Sequence, residues 1–147
     1  MILYLDTSAY VRLYVREEGH ELVWQASQKA QQIAVHVIAY AEMRAALAKI
    51  LRMDRLTKPE VTSIKKLFES DWDKTLRIAP DERIIRRAGD LAERYGLRGY
   101  DSVHLAAAES LVIDQRHPVH FASFDDSLNE AAARLGLQTL SDGVSTR

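Results

Sequence analysis

Apolar and polar positions along the chain fall into blocks that predict strands and helices in turn. Ile2, Leu3, Tyr4 and Leu5 form an almost unbroken apolar run that turns polar at Asp6, Thr7 and Ser8. A run of that length with polar bounds predicts a strand buried on both faces. Tyr10, Val11, Leu13, Tyr14 and Val15 then predict a short helix stopped near Gly19. Leu22, Val23, Ala26 and Ala30 predict a second one at the 3.6-residue period. Residues 33–37 read as another short strand. The stretch from Ile38 to Met53 places Ala39, Met43, Ala46, Leu47, Ile50 and Leu51 on one helical face.

Thr57, Pro59 and Glu60 announce the next helix, with capping-box spacing and a proline in the first turn. It continues through Val61, Ile64, Leu67 and Phe68. Residues 75–79 predict a third strand ended by Pro80. Asp81 opens a helix with Ile84, Ile85, Ala88, Leu91, Ala92 and Tyr95 inward and Gly96 at its end. Residues 97–100 read as a loop, and a helix apolar nearly all round starts at Asp101. Residues 119–124 predict a fourth strand, 127–135 a short helix, and 138–140 a final edge strand. Residues 141–147 form a polar tail.

Strands alternating with helices predict one α/β domain over residues 1–140, with a mainly parallel sheet and right-handed crossovers. Residues 38–67 hold two successive helices with no strand between, a helical hairpin inserted before the third strand. At 147 residues the chain fits a single domain able to bury roughly two-thirds of its unfolded surface.

Composition narrows the function classes. The chain is 47% hydrophobic and 28% charged with a net charge of −1, so any polyanion site has to be local. It has no cysteine, which excludes disulfides and thiolate metal sites. No apolar stretch approaches the ~20 residues that cross a bilayer, and the first residues lack the basic n-region of a signal peptide. A cytoplasmic protein without a membrane partner is the expectation.

The acidic residues carry the chemistry. Asp6 ends the first strand, Glu42 lies in the first turns of the helix after the second, Asp101 starts the apolar helix, and Asp125 and Asp126 follow the fourth strand. In a parallel sheet all of these positions face one cleft beyond the carboxyl edge. Each alone reads more simply as a helix cap, a dipole partner or a solvated carboxylate. Together, four unpaired carboxylates in one cleft would hold protons unless a cation compensated them. Oxygen ligands call for Mg²⁺ or Mn²⁺, ions able to activate water and neutralise a phosphodiester transition state.

The segments YLDTSAYVRLYVREEGHELV, VIAYAEMRAAL, RGYDSVHLAAAE and ASFDDSLNEAAARLGL resemble a PIN domain, and within that superfamily the toxins of VapC type. The likeness runs from the first strand to about Leu140. It implies a five-stranded parallel sheet and a Mg²⁺-dependent endoribonuclease, with Mn²⁺ as the other candidate ion. It also implies RNA as substrate, a VapB-type antitoxin as inhibitor, and a homodimer holding the antitoxin peptide across the cleft. Asp6, Glu42, Asp101 and Asp125 match the family's acidic positions, Asp6 and Asp101 as the more direct ligands. Thr7, Ser8 and Ser123 match small hydroxyl positions that orient a carboxylate, water or phosphate. Asp126 departs from the family pattern and reads as a surface helix cap.

His104 lies one turn after Asp101; as a lone histidine on an apolar helix it reads as packed and hydrogen-bonded, outside the site. Arg98 and Arg12 are the leading candidates for substrate contacts, ahead of Arg16, Arg44, Lys49 and Arg52. Tyr10, Tyr14, Trp24, Trp72 and Tyr100 are candidates for exposed aromatic contacts, with core or dimer packing the reading for most of them. An RNA-processing nuclease without an antitoxin is the alternative, and the presence of a small upstream antitoxin gene separates the two. A receiver-type phosphoacceptor fits poorly: Asp6 has no acidic neighbour, the third strand ends in Ala79–Pro80, and no lysine follows Lys74. A haloacid-dehalogenase-type phosphatase needs an aspartate where Ser8 stands.

Overall fold

The computed structural model describes residues 1–114 and 117–140, so the expected polar tail at 141–147 lies outside the described residues. The central strand is β1 (Ile2–Leu5), followed by α1 (Thr7–Tyr14), α2 (His20–Lys29), β2 (Gln32–His36), α3 (Ala39–Arg52) and α4 (Lys58–Trp72). The second half adds β3 (Leu76–Ile78), α5 (Glu82–Tyr95), α6 (Gly99–Asp114), β4 (Val119–Ala122), α7 (Asp126–Arg134) and β5 (Gln138–Thr139). The five strands pair in the order β3-β2-β1-β4-β5. Every pairing is parallel, where the sequence predicted a mainly parallel sheet.

The alternation along β1 explains the layering. Ile2 and Tyr4 face a core built with Ala88, Leu91, Leu105–Ala108 and Leu128, under α5, α6 and α7. Leu3 and Leu5 face the other core, with Tyr10, Val23, Met43, Leu47 and Phe68 from α1 to α4. A strand covered on both faces has no polar side to offer, hence its continuous apolar run. The predicted helical hairpin is α3 and α4. The second begins with a complete capping box: Thr57 accepts from the Glu60 N–H and Glu60 accepts from the Thr57 N–H.

Several predictions of inward faces and boundaries are corrected. Ile85 and Leu67 are exposed, as is Val112 in the last turn of α6. A 16-residue helix spans about 24 Å and a four-residue strand about 13 Å, so α6 outreaches the sheet it covers. Helix α6 also begins at Gly99, so Asp101 sits within its first turn instead of opening it. At the end of β4, Asp125 is the residue that caps α7, accepting from the Leu128 N–H, and Asp126 is the first helical residue.

Gly19 has a structural reason. Its φ is +93°, and a Cβ there would fall 2.3 Å from Cε1 of Phe124. Arg12 covers the same ring, its guanidinium carbon 4.2 Å from the centroid. The α1–α2 turn is thereby clamped to the segment that carries Asp125. Gly19→Ala is expected to lower stability by roughly 2–4 kcal/mol, because left-handed backbone and an overpacked contact combine. Thermal unfolding measures it, and a loss under about 1 kcal/mol would mean the ring yields easily.

Candidate active site

Tyr4, at the middle of β1, starts a relay of hydrogen bonds that ends at the carboxyl edge of the sheet. Its hydroxyl accepts from the His36 N–H at 3.2 Å and meets Nδ1 of His104 at 2.8 Å. On the other side of the same ring, Nε2 lies 2.8 Å from Oε1 of Glu42. Thr7 donates its hydroxyl to that same Oε1 at 2.6 Å. A neutral imidazole with its proton on Nε2 satisfies both ring contacts, and its partners assign that tautomer. Burial pushes the Glu42 carboxyl up, but the bonds from His104 and Thr7 outweigh burial and hold it below its ordinary value. Glu42 is therefore an ionised acceptor with a fixed direction.

Asp6 follows β1 directly and caps α1, its Oδ1 accepting from the Ala9 N–H at 2.9 Å and from the Ser8 hydroxyl at 2.7 Å. Ser8 in turn accepts from the Phe124 N–H at 2.9 Å, tying the Asp6 loop to the β4–α7 segment. The Ser123 hydroxyl also bonds Asp6 and accepts from the Asp125 N–H at 3.0 Å. Asn129 donates to the Ser123 carbonyl at 2.9 Å. Asp6 is only 4% exposed, and burial raises its pKa despite the donors around it.

Asp101 and Asp125 share one cation. Arg98 donates from Nε to Oδ2 of Asp101 at 2.9 Å and places its terminal nitrogen 3.7 Å from Asp125. The Arg98 side chain is 82% exposed, so this pairing is weak and easily exchanged. Asp6, Thr7, Ser8, Glu42, Asp101 and Asp125 line a single cleft of about 340 Å³ together with Arg12, Arg98, His104 and Phe124.

The four predicted carboxylates thus reach one cleft from four separate places in the chain. They are not the unpaired set expected from sequence: His104 and Thr7 hydrogen-bond Glu42, and Arg98 pairs with Asp101 and approaches Asp125. Ser123 lies behind the cleft, bonded to Asp6. His104 is corrected most: it is packed and hydrogen-bonded as expected, but its partner is Glu42 and it belongs to the cleft. The available signal was its i+3 spacing from Asp101 on a buried helix. Arg12 lines the cleft with its N–H groups engaged on the carbonyls of Glu18 and Ser8. Arg44 pairs with Tyr40 and Glu69, and neither it nor Arg16, Lys49 or Arg52 lines the cleft.

Among the described residues, no three His, Cys, Asp or Glu side chains are grouped to hold a metal ion as they stand. Arg98 donates to Asp101 and lies 3.7 Å from Asp125, and Oε1 of Glu42 carries two donors. The donor set is nonetheless all oxygen and rich in carboxylate, which suits a hard divalent cation. An exposed guanidinium is the group such an ion would displace.

Parallel strands covered on both faces, with converging carboxylates beyond their carboxyl edge, define an α/β domain with an acidic cleft. The chain matches the PIN domain over residues 3–134 and belongs to that family. It is 36% identical over 110 residues to Ribonuclease VapC49 of Mycobacterium tuberculosis, covering 73% of this chain and 74% of that protein. Ribonuclease VapC3 of Pyrobaculum aerophilum is 30% identical over 113 residues, with 76% and 84% covered. Among solved structures, FitAcB from Neisseria gonorrhoeae superposes with a TM-score of 0.62 at 19% identity, over 95% of this chain and 96% of that one. VapBC2 from Rickettsia felis, bound to a DNA fragment from their promoter, gives 0.62 at 17% identity, over 95% and 97%. At these identities the structures speak for the fold.

Proposed function

We propose that the chain is a divalent-metal-dependent endoribonuclease of VapC type, the toxin of a toxin–antitoxin pair, with Mg²⁺ or Mn²⁺ as its ion. The observation that carries this is the convergence of Asp6, Glu42, Asp101 and Asp125 on one cleft in a chain whose relatives are named ribonucleases. Asp6 and Asp101 would hold the ion, assisted by Glu42 and Asp125. A divalent cation bound there supplies positive charge for the phosphodiester and acidifies a water molecule.

The protein's own residues do the remaining work. His104 and Thr7 keep Glu42 ionised and aimed into the cleft, where it can accept a proton from an attacking water. Ser8 and Ser123 hold the Asp6 carboxylate against rotation. Arg98, at the mouth, is free to exchange its carboxylates for the phosphate of an incoming strand. A fixed acceptor, fixed ligands and a mobile cation are what hydrolysis of a polyanion needs.

Brief induction followed by mapping of RNA ends tests this reading. Wild type is expected to arrest growth and generate new 5′ ends at a small set of positions, and co-expression of a small upstream antitoxin is expected to relieve both. Harmless induction with no new ends would contradict it. A companion prediction concerns the ion. Arg98→Gln is expected to tighten Mn²⁺ binding about 3- to 10-fold, measured by titration of the free-ion signal, because a competing surface charge is removed. Unchanged affinity would show that Arg98 does not compete for the ligands.

A further inference from the structure

Next to the acidic cleft, on the outer side of Asp101, lies a second cavity of about 630 Å³. That is within the range of sites that hold small organic groups. Its wall is apolar and is formed by Ile85 and Gly89 of α5 and by Tyr100 and Val103 of α6. Its rim is common property: Glu42, Arg98 and Asp101 line both cavities.

Tyr100 is the conspicuous residue. It is 65% exposed, the residue immediately before Asp101, and its side chain makes no hydrogen bond or ring contact among the described residues. Tyr4, Tyr10, Tyr14 and Tyr40 all pack against other rings instead. Opposite it, Ile85 is also exposed, at 44%. A Cβ at Gly89 would meet no atom within 4 Å, so α5 leaves the cavity open where any larger residue would project into it.

A strand whose phosphate lies in the acidic cleft has the base of a neighbouring nucleotide within reach of a cavity that shares three rim residues. The contents of the cavity match that group: an aromatic face, aliphatic walls and a guanidinium at the boundary where the linking phosphate would pass. We infer that the cavity is a subsite for a nucleobase flanking the scissile phosphate of single-stranded RNA, with the Tyr100 ring as its stacking platform. The inference rests on the ribonuclease reading of the cleft.

Three variants test it: Tyr100→Ala removes the ring, Tyr100→Phe keeps it, and Gly89→Leu fills the cavity from α5. Leucine favours the helix over glycine and enters open space, so Gly89→Leu is expected to fold. The readouts are KM and kcat for a short single-stranded RNA with Mg²⁺, anisotropy of the same labelled RNA in EDTA, and elution volume. Loss of one base stack predicts about 5- to 100-fold weaker binding for Tyr100→Ala and Gly89→Leu, seen in KM more than in kcat. Tyr100→Phe is expected to stay within about twofold of wild type, since every base stacks on an aromatic face.

Cleavage and binding by Tyr100→Ala at the wild-type KM would overturn the subsite and leave the ribonuclease reading standing. A Tyr100→Ala protein that changes elution volume with RNA affinity intact would also overturn it, by assigning the face to a second copy of the chain. A wild-type protein that neither binds nor cleaves RNA would overturn the ribonuclease reading, and the subsite with it.

Discussion

His104→Phe is expected to lower the melting temperature by roughly 5–15 °C and to slow RNA cleavage by about 10- to 100-fold. The two effects have one cause. Phenylalanine is somewhat larger than imidazole, so no cavity opens around α6 and the ring fits with some crowding, but both ends of the relay lose their partner. The Tyr4 hydroxyl keeps only the His36 N–H, and its own proton is left buried with no acceptor. Glu42 keeps Thr7 and loses the donor that does most to hold its pKa down. Stranded buried groups of this kind cost roughly 2–4 kcal/mol together. The Glu42 carboxyl is also expected to rise toward its ordinary pKa, since the bond from His104 is the largest of the influences lowering it. Thermal unfolding and a cleavage assay on the same preparation measure both effects. A variant that melts within about 2 °C of wild type would mean the relay carries little energy.

Asp6→Asn is expected to do the reverse to stability while removing activity. Cleavage should fall by about 10³-fold or more, equivalent to about 4 kcal/mol of transition-state stabilisation. The fold should survive. The asparagine oxygen can still accept from the Ala9 N–H and the Ser8 hydroxyl, and its amide can donate to the Ser123 hydroxyl, which serves as acceptor when rotated. Burial holds the Asp6 pKa above its usual value of 3.8. The folded state therefore binds this proton more tightly than the unfolded state. The stability linked to it is complete below the unfolded pKa and is lost as pH rises through the folded one. At pH 7 wild type bears that cost and Asp6→Asn does not, so the variant should melt higher than wild type. The gap should narrow as pH falls through the raised folded pKa and close below the ordinary value of 3.8. A variant less stable than wild type at pH 7 would show that the charge is better compensated than its burial suggests.

The fold was legible where local chemistry and burial agree. The Ile2–Leu5 run, the apolar face of α3 and the Thr57–Glu60 capping box each specify their element without help from distant residues. The addresses of the acids were legible for a related reason. A parallel sheet puts every strand end on one side, so the order of elements alone places Asp6, Glu42, Asp101 and Asp125 together. What sequence could not supply is the pairing between them. His104 and Glu42 are 62 residues apart, and nothing in either neighbourhood names the other. The bridge from Arg98 to Asp125 depends on how α6 and the β4–α7 turn approach in space. Helix α6 starts early because the Arg98 carbonyl already accepts from the backbone and hydroxyl of Ser102, a capping arrangement without an apolar signal. The exposure of Ile85 was not legible because periodicity marks a face as apolar without saying what covers it.

The central claim is that the carboxylates of this cleft support RNA hydrolysis through a divalent ion. The most direct measurement is cleavage of an end-labelled RNA by purified wild-type and Asp6→Asn protein at equal concentration, with Mg²⁺ or Mn²⁺ and then with excess EDTA. Wild type should cut at defined positions with either ion and stop when EDTA is added, and Asp6→Asn should leave the RNA intact throughout. Cleavage that persists in EDTA, or that Asp6→Asn performs at the wild-type rate, would contradict the account.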